Sequence, residues 1–208
     1  MDTGGSTLQL DRMYLTEAQA RARAGVAEDE PAHVLAFALA LDSALSALTD
    51  RFDIFLSHSV RDASLVMGVK RILEEAGKTV YVDWISDPNL DRNAVTGATA
   101  ERLRHRMRKC DACFYLFSRH SRRSRWMPWE LGFFDGHNGN VAILPLIPPM
   151  GELDFTGEEY LEIYPKIDFA NLSGSPSIFV NQVRRTEMGS YKSYDEWRRG
   201  ADKLRPTT

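Results

Sequence analysis

The stretch "DIFLSHS", residues 53–59, is a run of apolar residues that ends in small polar side chains. Comparable apolar stretches follow along the chain: "KTVYVDW" at 78–84, "CFYLFSRHS" at 113–121 and "VAILPLI" at 141–147. Segments with helical character separate them: "DASLVMGVKRILEEAG", "TAERLRHRMRKC" and "PWELGFFDG". Continuous apolar strands that alternate with helices are typical of a parallel sheet covered on both faces.

This alternation predicts an α/β protein with a flavodoxin-like, doubly wound sheet of five parallel strands in the order 2-1-3-4-5. After Pro148 the pattern is less regular. We expect one edge strand from "YPKIDFAN" and "PSIFVNQV", and a final helix from "SYDEWRRGADKL" with Ser193 or Asp195 near its cap.

The first fifty residues predict an N-terminal helical extension. Thr16 and Gln19 form a capping box that opens one helix, and Gly25 is a natural end for it. A second helix is expected to begin near Pro31, with apolar residues at helical spacing as far as Leu48. We therefore divide the chain into an extension at 1–50, a domain at 51–180 and a C-terminal helix at 181–208 that packs on the domain.

Composition narrows the classes of function. The chain has 208 residues, 43% hydrophobic content and a formal net charge of −3, which gives no overall attraction to nucleic acid or anionic lipid. The N-terminus lacks the layout of a secretory signal, and no apolar run is long enough to span a bilayer, so we expect a cytoplasmic protein. Cys110 and Cys113 lead into an apolar strand and lack further metal ligands, so buried free thiols are expected.

In such a sheet the ligand crevice lies beyond the carboxyl ends of the first and third strands. Polar side chains gather at both ends, and the helix that carries Glu130 begins at the same rim. The second strand is expected to end in Asp83 and Trp84, before a long loop. The side chains expected to face one another across the crevice are Ser57, His58 and Ser59 on one side and Ser118, His120 and Ser121 on the other.

Several enzyme classes are excluded by missing motifs. The sequence contains neither G-x-G-x-x-G nor G-x-x-x-x-G-K-[ST], which argues against a dinucleotide-binding dehydrogenase and a P-loop NTPase. It also lacks the G-x-S-x-G elbow of serine hydrolases. Two basic stretches, "RLRHRMRK" and "RHSRRSR", have no aromatic platform interleaved, so we do not expect nucleic-acid binding; the second stretch favours a small ligand that carries phosphate.

"FDIFLSHSVRD", "AGKTVYVDW" and "CFYLFSRHSRRSRWMPWELG" resemble, in this order, the motifs of a bacterial Toll/interleukin-1 receptor (TIR) domain. The resemblance covers residues 51–147 and, more loosely, the chain to about residue 180. It implies the flavodoxin-like fold and, as in many bacterial and plant members, cleavage of NAD at the nicotinamide–ribose bond by hydrolysis or by cyclisation. Antiphage defence, TIR–TIR self-association and a downstream effector that reads an ADP-ribose product are implied in the same way.

The resemblance also assigns residues. Glu130, in the W-x-x-x-E pattern that begins at Trp126, is the implied catalytic residue. The loop at 85–95 is implied to shape the pocket and mediate assembly, and its Arg92 to pair with the diphosphate of NAD. NAD is the substrate, and neither a cofactor nor a metal is expected. The expected substrate-binding residues are Ser57, His58, Asp83, Trp84, Arg92, Ser118 and Trp126.

Cleavage of NAD at the nicotinamide–ribose bond can be catalysed by a single carboxylate. Nicotinamide leaves NAD as a neutral molecule, so positive charge builds up on the ribose, and one carboxylate beside that ribose stabilises it. Of the two tryptophans, we expect Trp126 to line the site and Trp129 to be core, with Phe133 and Phe134 also core. On a simpler interpretation Glu130 is only an early-helix carboxylate favoured by the helix dipole.

Two other functions remain open at this stage. One is a non-enzymatic TIR interaction module, either an adaptor or an effector, that acts through the 85–95 loop and helix surfaces. The other is an enzyme similar to nucleoside deoxyribosyltransferases, which share the layout and the use of a carboxylate. Activity on free nucleosides rather than on NAD separates the latter.

Overall fold

The structure is a computed structural model, and it describes residues 13–24, 50–86, 96–150, 155–182 and 190–200. In this part of the chain a central sheet of eight strands is flanked by helices. The strands are β1 (Leu15–Thr16), β2 (Phe52–Ser57), β3 (Val80–Tyr81), β4 (Cys110–Phe117), β5 (Val141–Ile147), β6 (Lys166–Ala170), β7 (Ser177–Gln182) and β8 (Ser190–Ser193). The helices are α1 (Glu17–Ala24), α2 (Ala63–Glu75), α3 (Asp83–Ser86), α4 (Gly97–Met107), α5 (Met127–His137) and α6 (Tyr194–Arg198).

The predicted five-stranded parallel order is confirmed. The strands lie in the order β3-β2-β4-β5-β6, which is 2-1-3-4-5 when the five are counted along the chain. In the register of β2 and β4, Ser57 lies opposite Tyr115. The carboxyl ends of these two neighbouring strands therefore meet at one edge of the sheet, where the crevice was expected.

Both faces of the sheet are covered, because its strands are apolar on both sides. On one face, α1, α2 and α6 pack over Ile54, Leu56, Phe114 and Leu144. On the other face, α4 and α5 pack over a cluster that includes Phe55. Cys110 and Cys113 belong to this second cluster as buried free thiols, as the sequence predicted. Burial raises the pKa of both thiols, which keeps them protonated and unreactive.

The N-terminal segment contributes a strand to the sheet, although the sequence predicts only helices there. β1 pairs in parallel with the end of β5, where Leu15 lies opposite Leu146. On its other side, Met13 and Phe169 of β6 exchange two backbone hydrogen bonds of 3.0 and 2.9 Å. Since β5 and β6 pair directly only at Ile143 and Lys166, β1 occupies the gap where they diverge. A strand of two residues carries no periodicity that a sequence pattern can reveal.

The capping box of α1 is confirmed. The Thr16 hydroxyl accepts from the Gln19 backbone N–H at 3.1 Å, and the Gln19 side chain accepts from the Thr16 backbone N–H at 2.9 Å. The helix then packs tightly against α2, where Gly68 faces the backbone of Ala20. The second helix predicted in this region, which includes Leu48, lies outside the described residues.

The C-terminal part adds two antiparallel strands rather than one edge strand. β7 pairs with β6, and β8 pairs with β7. The next helix, α6, begins with a complete capping box in which Ser193 and Glu196 bond reciprocally, so Ser193 is the cap. Lys78 then ties this helix to the domain, because its ammonium donates to both carboxylate oxygens of Asp195 at 2.8 and 2.9 Å.

Two predicted boundaries differ in detail. The second parallel strand ends at Tyr81, and Asp83 and Trp84 lie in the short helix α3 rather than at the end of the strand. The helix predicted over "PWELGFFDG" ends at His137, one residue beyond the last residue of that segment. Among the helices described here, none combines the length and the apolar character needed to cross a bilayer.

The contact between α1 and α2 makes a sharp prediction. A Cβ at Gly68 would lie 1.7 Å from the carbonyl oxygen of Ala20, so Gly68→Ala forces the two helices apart. We expect the free energy of unfolding, measured by urea denaturation, to fall by about 1–3 kcal/mol. Gly132→Ala is the matched control, because nothing lies within 4 Å of its Cβ and it is helical. That control should gain about 0.5–1 kcal/mol. Equal effects of the two substitutions would contradict the close packing of α1.

Candidate active site

Glu130 is a buried carboxylate at the carboxyl edge of the sheet. Its side chain lies in the first turn of α5 and has 0% exposed surface. The hydroxyl of Ser57, the last residue of β2, donates a hydrogen bond of 2.5 Å to its Oε2 atom. A buried carboxylate is costly unless donors compensate it, so this bond holds the charged group between strand and helix.

Local sequence explains why the carboxylate lies there. Pro128 occupies the first turn of α5, where its missing N–H costs least. The N–H of Glu130 donates to the carbonyl of Trp126 at 2.9 Å, which closes the first helical turn. The carboxylate therefore lies at the positive end of the helix dipole, which stabilises negative charge. The placement of Glu130 at the rim is as the sequence predicted.

An aromatic row runs along α5 beside the carboxylate. The rings of Trp126 and Trp129 meet edge to face at 5.6 Å, and Trp129 and Phe133 follow at 6.5 Å. Trp126 is partly buried, but Trp129 is 38% exposed, so the expectation that Trp129 belongs to the core was wrong. Phe134 belongs to the core, as predicted, but Phe133 is only partly buried. Trp129 lies on the exposed side of α5, as do Pro128 and Gly132.

His58 lies on the opposite face of the strand end from Ser57. Its Nδ1 lies 2.8 Å from the carbonyl of Leu56, so Nδ1 must donate, and Nε2 accepts the indole N–H of Trp84 at 2.8 Å. Both bonds together require the neutral ring, protonated on Nδ1. Asp83 Oδ1 lies 3.5 Å from His58 Nε2, and both side chains have 0% exposed surface. His58 and Asp83 are therefore buried and Trp84 is partly buried, whereas the sequence predicts that His58 faces the open crevice.

Ser118 and His120 both contact the carboxylate of Asp62, which no sequence pattern indicates as a site residue. Asp62 accepts the Ser118 hydroxyl on Oδ2 at 2.6 Å, and its Oδ1 lies 2.6 Å from Nδ1 of His120. The backbone N–H of His120 also donates to the Ser118 hydroxyl at 3.0 Å. Asp62 ends the 3-10 turn after β2, and its own side chain caps no helix. An acidic residue before an amphipathic segment is typical of the start of a helix, so the sequence gives no sign that Asp62 belongs to a site.

Glu158 is another buried carboxylate that the sequence pattern did not indicate. It accepts the Tyr115 hydroxyl at 2.7 Å and lies 3.4 Å from the Ser121 hydroxyl. Arg122 contributes a long ion pair of 3.8 Å to the same carboxylate. Burial, followed by the bond to Glu158, raises the pKa of Tyr115 well above its ordinary value, so this phenol stays protonated. The Ser121 hydroxyl donates to the carbonyl of Ser118 at 2.8 Å, so its hydrogen-bond partners among the described residues are Ser118 and Glu158 rather than a residue of β2.

The structure thus separates the predicted rim into three groups. Ser57 joins Glu130, His58 joins Asp83 and Trp84, and Ser118 joins His120 through Asp62. Ser59 caps the 3-10 turn that leads to Asp62. Arg92 and most of the 85–95 loop lie outside the described residues. In the part of the chain that the structure describes, no three His, Cys, Asp or Glu side chains are grouped so that they could hold a metal ion.

The bond between Ser57 and Glu130 can be tested through stability. Ser57→Ala removes a buried donor from the carboxylate, so we expect the free energy of unfolding at pH 7 to fall by about 1–3 kcal/mol. Urea denaturation measures this change. Ser173→Ala is the control, because Ser173 is exposed and its loss should shift stability by no more than about 0.5 kcal/mol. An unchanged stability of Ser57→Ala would show that the buried bond does not form.

Two curated relatives are similar to the chain. A protein of Bacillus cereus (strain MSX-D12) named "Probable 3' cyclic ADP-D-ribose synthase ThsB'" is 48% identical over 116 residues, which are 56% of this chain and 60% of the relative. A Cytobacillus dafuensis protein named "Putative cyclic ADP-D-ribose synthase TIR2" is 28% identical over 83 residues, which are 39% of this chain and 22% of the relative. The chain therefore spans less than two thirds of either relative.

The family model described as the TIR domain matches residues 54–177, which is more than half of the chain. The matched range begins in β2 and ends at the start of β7, so it contains most of β2 and all of β3, β4, β5 and β6, but not β1. It also contains Glu130, Ser57 and the Asp62 carboxylate. The chain belongs to the TIR domain family.

Proposed function

We propose that this protein cleaves NAD at the bond between nicotinamide and ribose and closes the ADP-ribosyl part into a cyclic ADP-ribose. The observation that carries the proposal is the Glu130 carboxylate, buried at the carboxyl edge of the sheet and held there by Ser57. The names of the two relatives, both cyclic ADP-ribose synthases, support the choice of substrate and product class.

One carboxylate is sufficient for the cleavage step. The nicotinamide ring of NAD is cationic and leaves with the bonding electron pair as a neutral molecule, so no acid has to protonate it. Positive charge develops on the ribosyl carbon and ring oxygen, as in glycoside cleavage. Glu130 stabilises this charge when the ribose lies beside its carboxylate, in a site from which bulk water is largely excluded.

Ser57 fixes the direction of the carboxylate. Its hydroxyl donates to Oε2 of Glu130 and so fixes the orientation of the carboxylate that we assign to the ribose. Such an arrangement is preorganised, because the carboxylate does not have to turn when the positive charge appears. Ser57 is therefore a positioning residue in this proposal.

Trp126 is proposed as the aromatic wall of the site. It is partly exposed at the end of α5 where Glu130 lies, and its ring meets that of Trp129. A flat, partly exposed indole is suited to stacking on the nicotinamide or adenine ring. Since Glu130 itself has 0% exposed surface, the ribose reaches the carboxylate only when neighbouring side chains move aside.

The other predicted substrate-binding residues have supporting roles in this proposal. Asp83 and Trp84 hold the buried His58 ring and so shape the end of β2. Ser118 shapes the end of β4 through Asp62, and Arg92 is assigned to the diphosphate. The same proposal includes TIR–TIR self-association and a downstream protein that reads the product. It also includes a role in antiphage defence in the cytoplasm. Hydrolysis to linear ADP-ribose is the competing outcome for the product.

Glu130→Gln tests the proposal. The amide keeps the shape of the side chain and an oxygen that can accept from Ser57, but it removes the negative charge. We expect nicotinamide release from NAD, followed by chromatography, to fall by at least about 100-fold. Glu101→Gln is the matched control, because Glu101 is exposed on α4 and pairs only with Arg104 among the ion pairs described, so its activity should equal the wild type. Wild-type rates in Glu130→Gln would remove the carboxylate from the mechanism.

A further inference from the structure

We call the group formed by Asp62, Ser118 and His120 the Asp62 cluster. In this cluster a carboxylate orients an imidazole, as in many enzymes that use histidine as a base. The Asp62 side chain is 1% exposed, while that of His120 is 25% exposed. A buried carboxylate therefore holds an imidazole that reaches the surface. Since Ser118 donates to the other carboxylate oxygen at 2.6 Å, the direction of the carboxylate is fixed from two sides.

This geometry sets the tautomer of His120. Nδ1 lies 2.6 Å from an oxygen of a carboxylate, so Nδ1 carries the proton and donates. In the neutral ring, Nε2 then carries a lone pair, and it lies on the side of the ring away from Asp62. An imidazole oriented by a carboxylate in this way is the arrangement that accepts a proton from a hydroxyl in many enzymes.

The Asp62 cluster lies at the same edge of the sheet as Glu130. Ser57, which bonds Glu130, is paired with Tyr115 in the next strand, and Ser118 comes three residues after Tyr115. At the rise of an extended chain, Ser118 lies at most about 10 Å further along the strand direction than Tyr115. Both groups therefore border the crevice at the ends of two adjacent strands.

We propose that His120 is the general base of ring closure, a statement that rests on the proposed NAD cleavage. The bond between the ribosyl carbon and the nicotinamide nitrogen breaks, and its electron pair leaves with nicotinamide. A ribose hydroxyl of the adenosine part then attacks the same carbon and forms the new carbon–oxygen bond. The proton of that hydroxyl passes to Nε2 of His120 and from there to solvent, so charge and atoms balance.

A base is needed for ring closure because the attacking group is a hydroxyl, which must lose its proton. The name of the Bacillus cereus relative specifies a 3′ product, and the 3′ position of a ribose carries a hydroxyl, which loses a proton when it forms a glycosidic bond. Glu130 is committed to the positive charge of the ribose. His58 has both ring nitrogens in hydrogen bonds and is completely buried. Among the described histidines, His105 lies exposed on α4 and His137 ends α5, about 10 Å along the helix from Glu130.

The base acts after the cleavage, so its loss changes the product more than the rate. With the base removed, the ribosyl cation still forms, but water captures it in competition with the less reactive ribose hydroxyl. We therefore expect His120 to control the ratio of cyclic to linear ADP-ribose. A residue that only tied two turns together would change stability and leave this ratio as it is.

The test uses His120→Gln in the full chain with NAD. The glutamine amide can still donate to Asp62, but it does not accept a proton at neutral pH. We expect nicotinamide release within about threefold of the wild type and a ratio of cyclic to linear product at least about tenfold lower, measured by chromatography and mass spectrometry. His105→Gln is the matched control and should change neither quantity. Asp62→Asn removes the orienting carboxylate and should lower the same ratio, which provides a second variant if His120→Gln folds poorly.

The outcomes separate the two proposals. A wild-type protein that releases no nicotinamide from NAD contradicts the proposed function itself. A wild-type protein that releases nicotinamide but forms only linear ADP-ribose, or a folded His120→Gln with an unchanged product ratio, contradicts the assignment of His120 alone. Complete loss of nicotinamide release in folded His120→Gln also contradicts it, because a base for ring closure is not needed for cleavage.

Discussion

The hydrogen bond between Ser57 and Glu130 depends on two features of the fold at once. Ser57 must end β2, and α5 must begin close enough for its first turn to place a carboxylate over that end. A buried carboxylate without compensation costs several kcal/mol, so the sheet edge tolerates Glu130 only because a hydroxyl and the positive end of a helix meet it. The parallel pairing of β2 with β4 sets the position of that edge.

The same solution occurs three times at this edge. Three of the buried carboxylates each accept a hydroxyl from a residue in or just after a strand: Glu130 from Ser57, Asp62 from Ser118 and Glu158 from Tyr115. Apolar side chains at this edge would favour folding at least as well, because replacing buried charges by packed apolar groups is often neutral or stabilising. Buried charges concentrated at the ligand end of a doubly wound sheet are therefore typical of a binding or catalytic site.

Much of this architecture is readable from local pattern. Continuous apolar strands predict a covered parallel sheet, and the position of Pro128 at the start of a helix predicts that Glu130 lies near its N-terminus. What local pattern misses is contact between distant segments. β1 fills a gap left by the divergence of β5 and β6, and Asp62 becomes a site residue only because Ser118 and His120 approach it from another strand. The exposure of Trp129 follows from the rotation of α5, which the all-round apolar sequence of that helix does not fix.

The central claim is that the ribose of NAD binds against the Glu130 carboxylate that Ser57 holds. A structure of Glu130→Gln with NAD bound tests it most directly, because the substrate survives when cleavage is blocked. The account predicts that a hydroxyl or the ring oxygen of the nicotinamide ribose lies within about 3.5 Å of the side chain at position 130, with an aromatic ring of NAD against Trp126. A nicotinamide ribose bound elsewhere, with Ser57 and the side chain at 130 still joined and buried beneath it, would contradict the account.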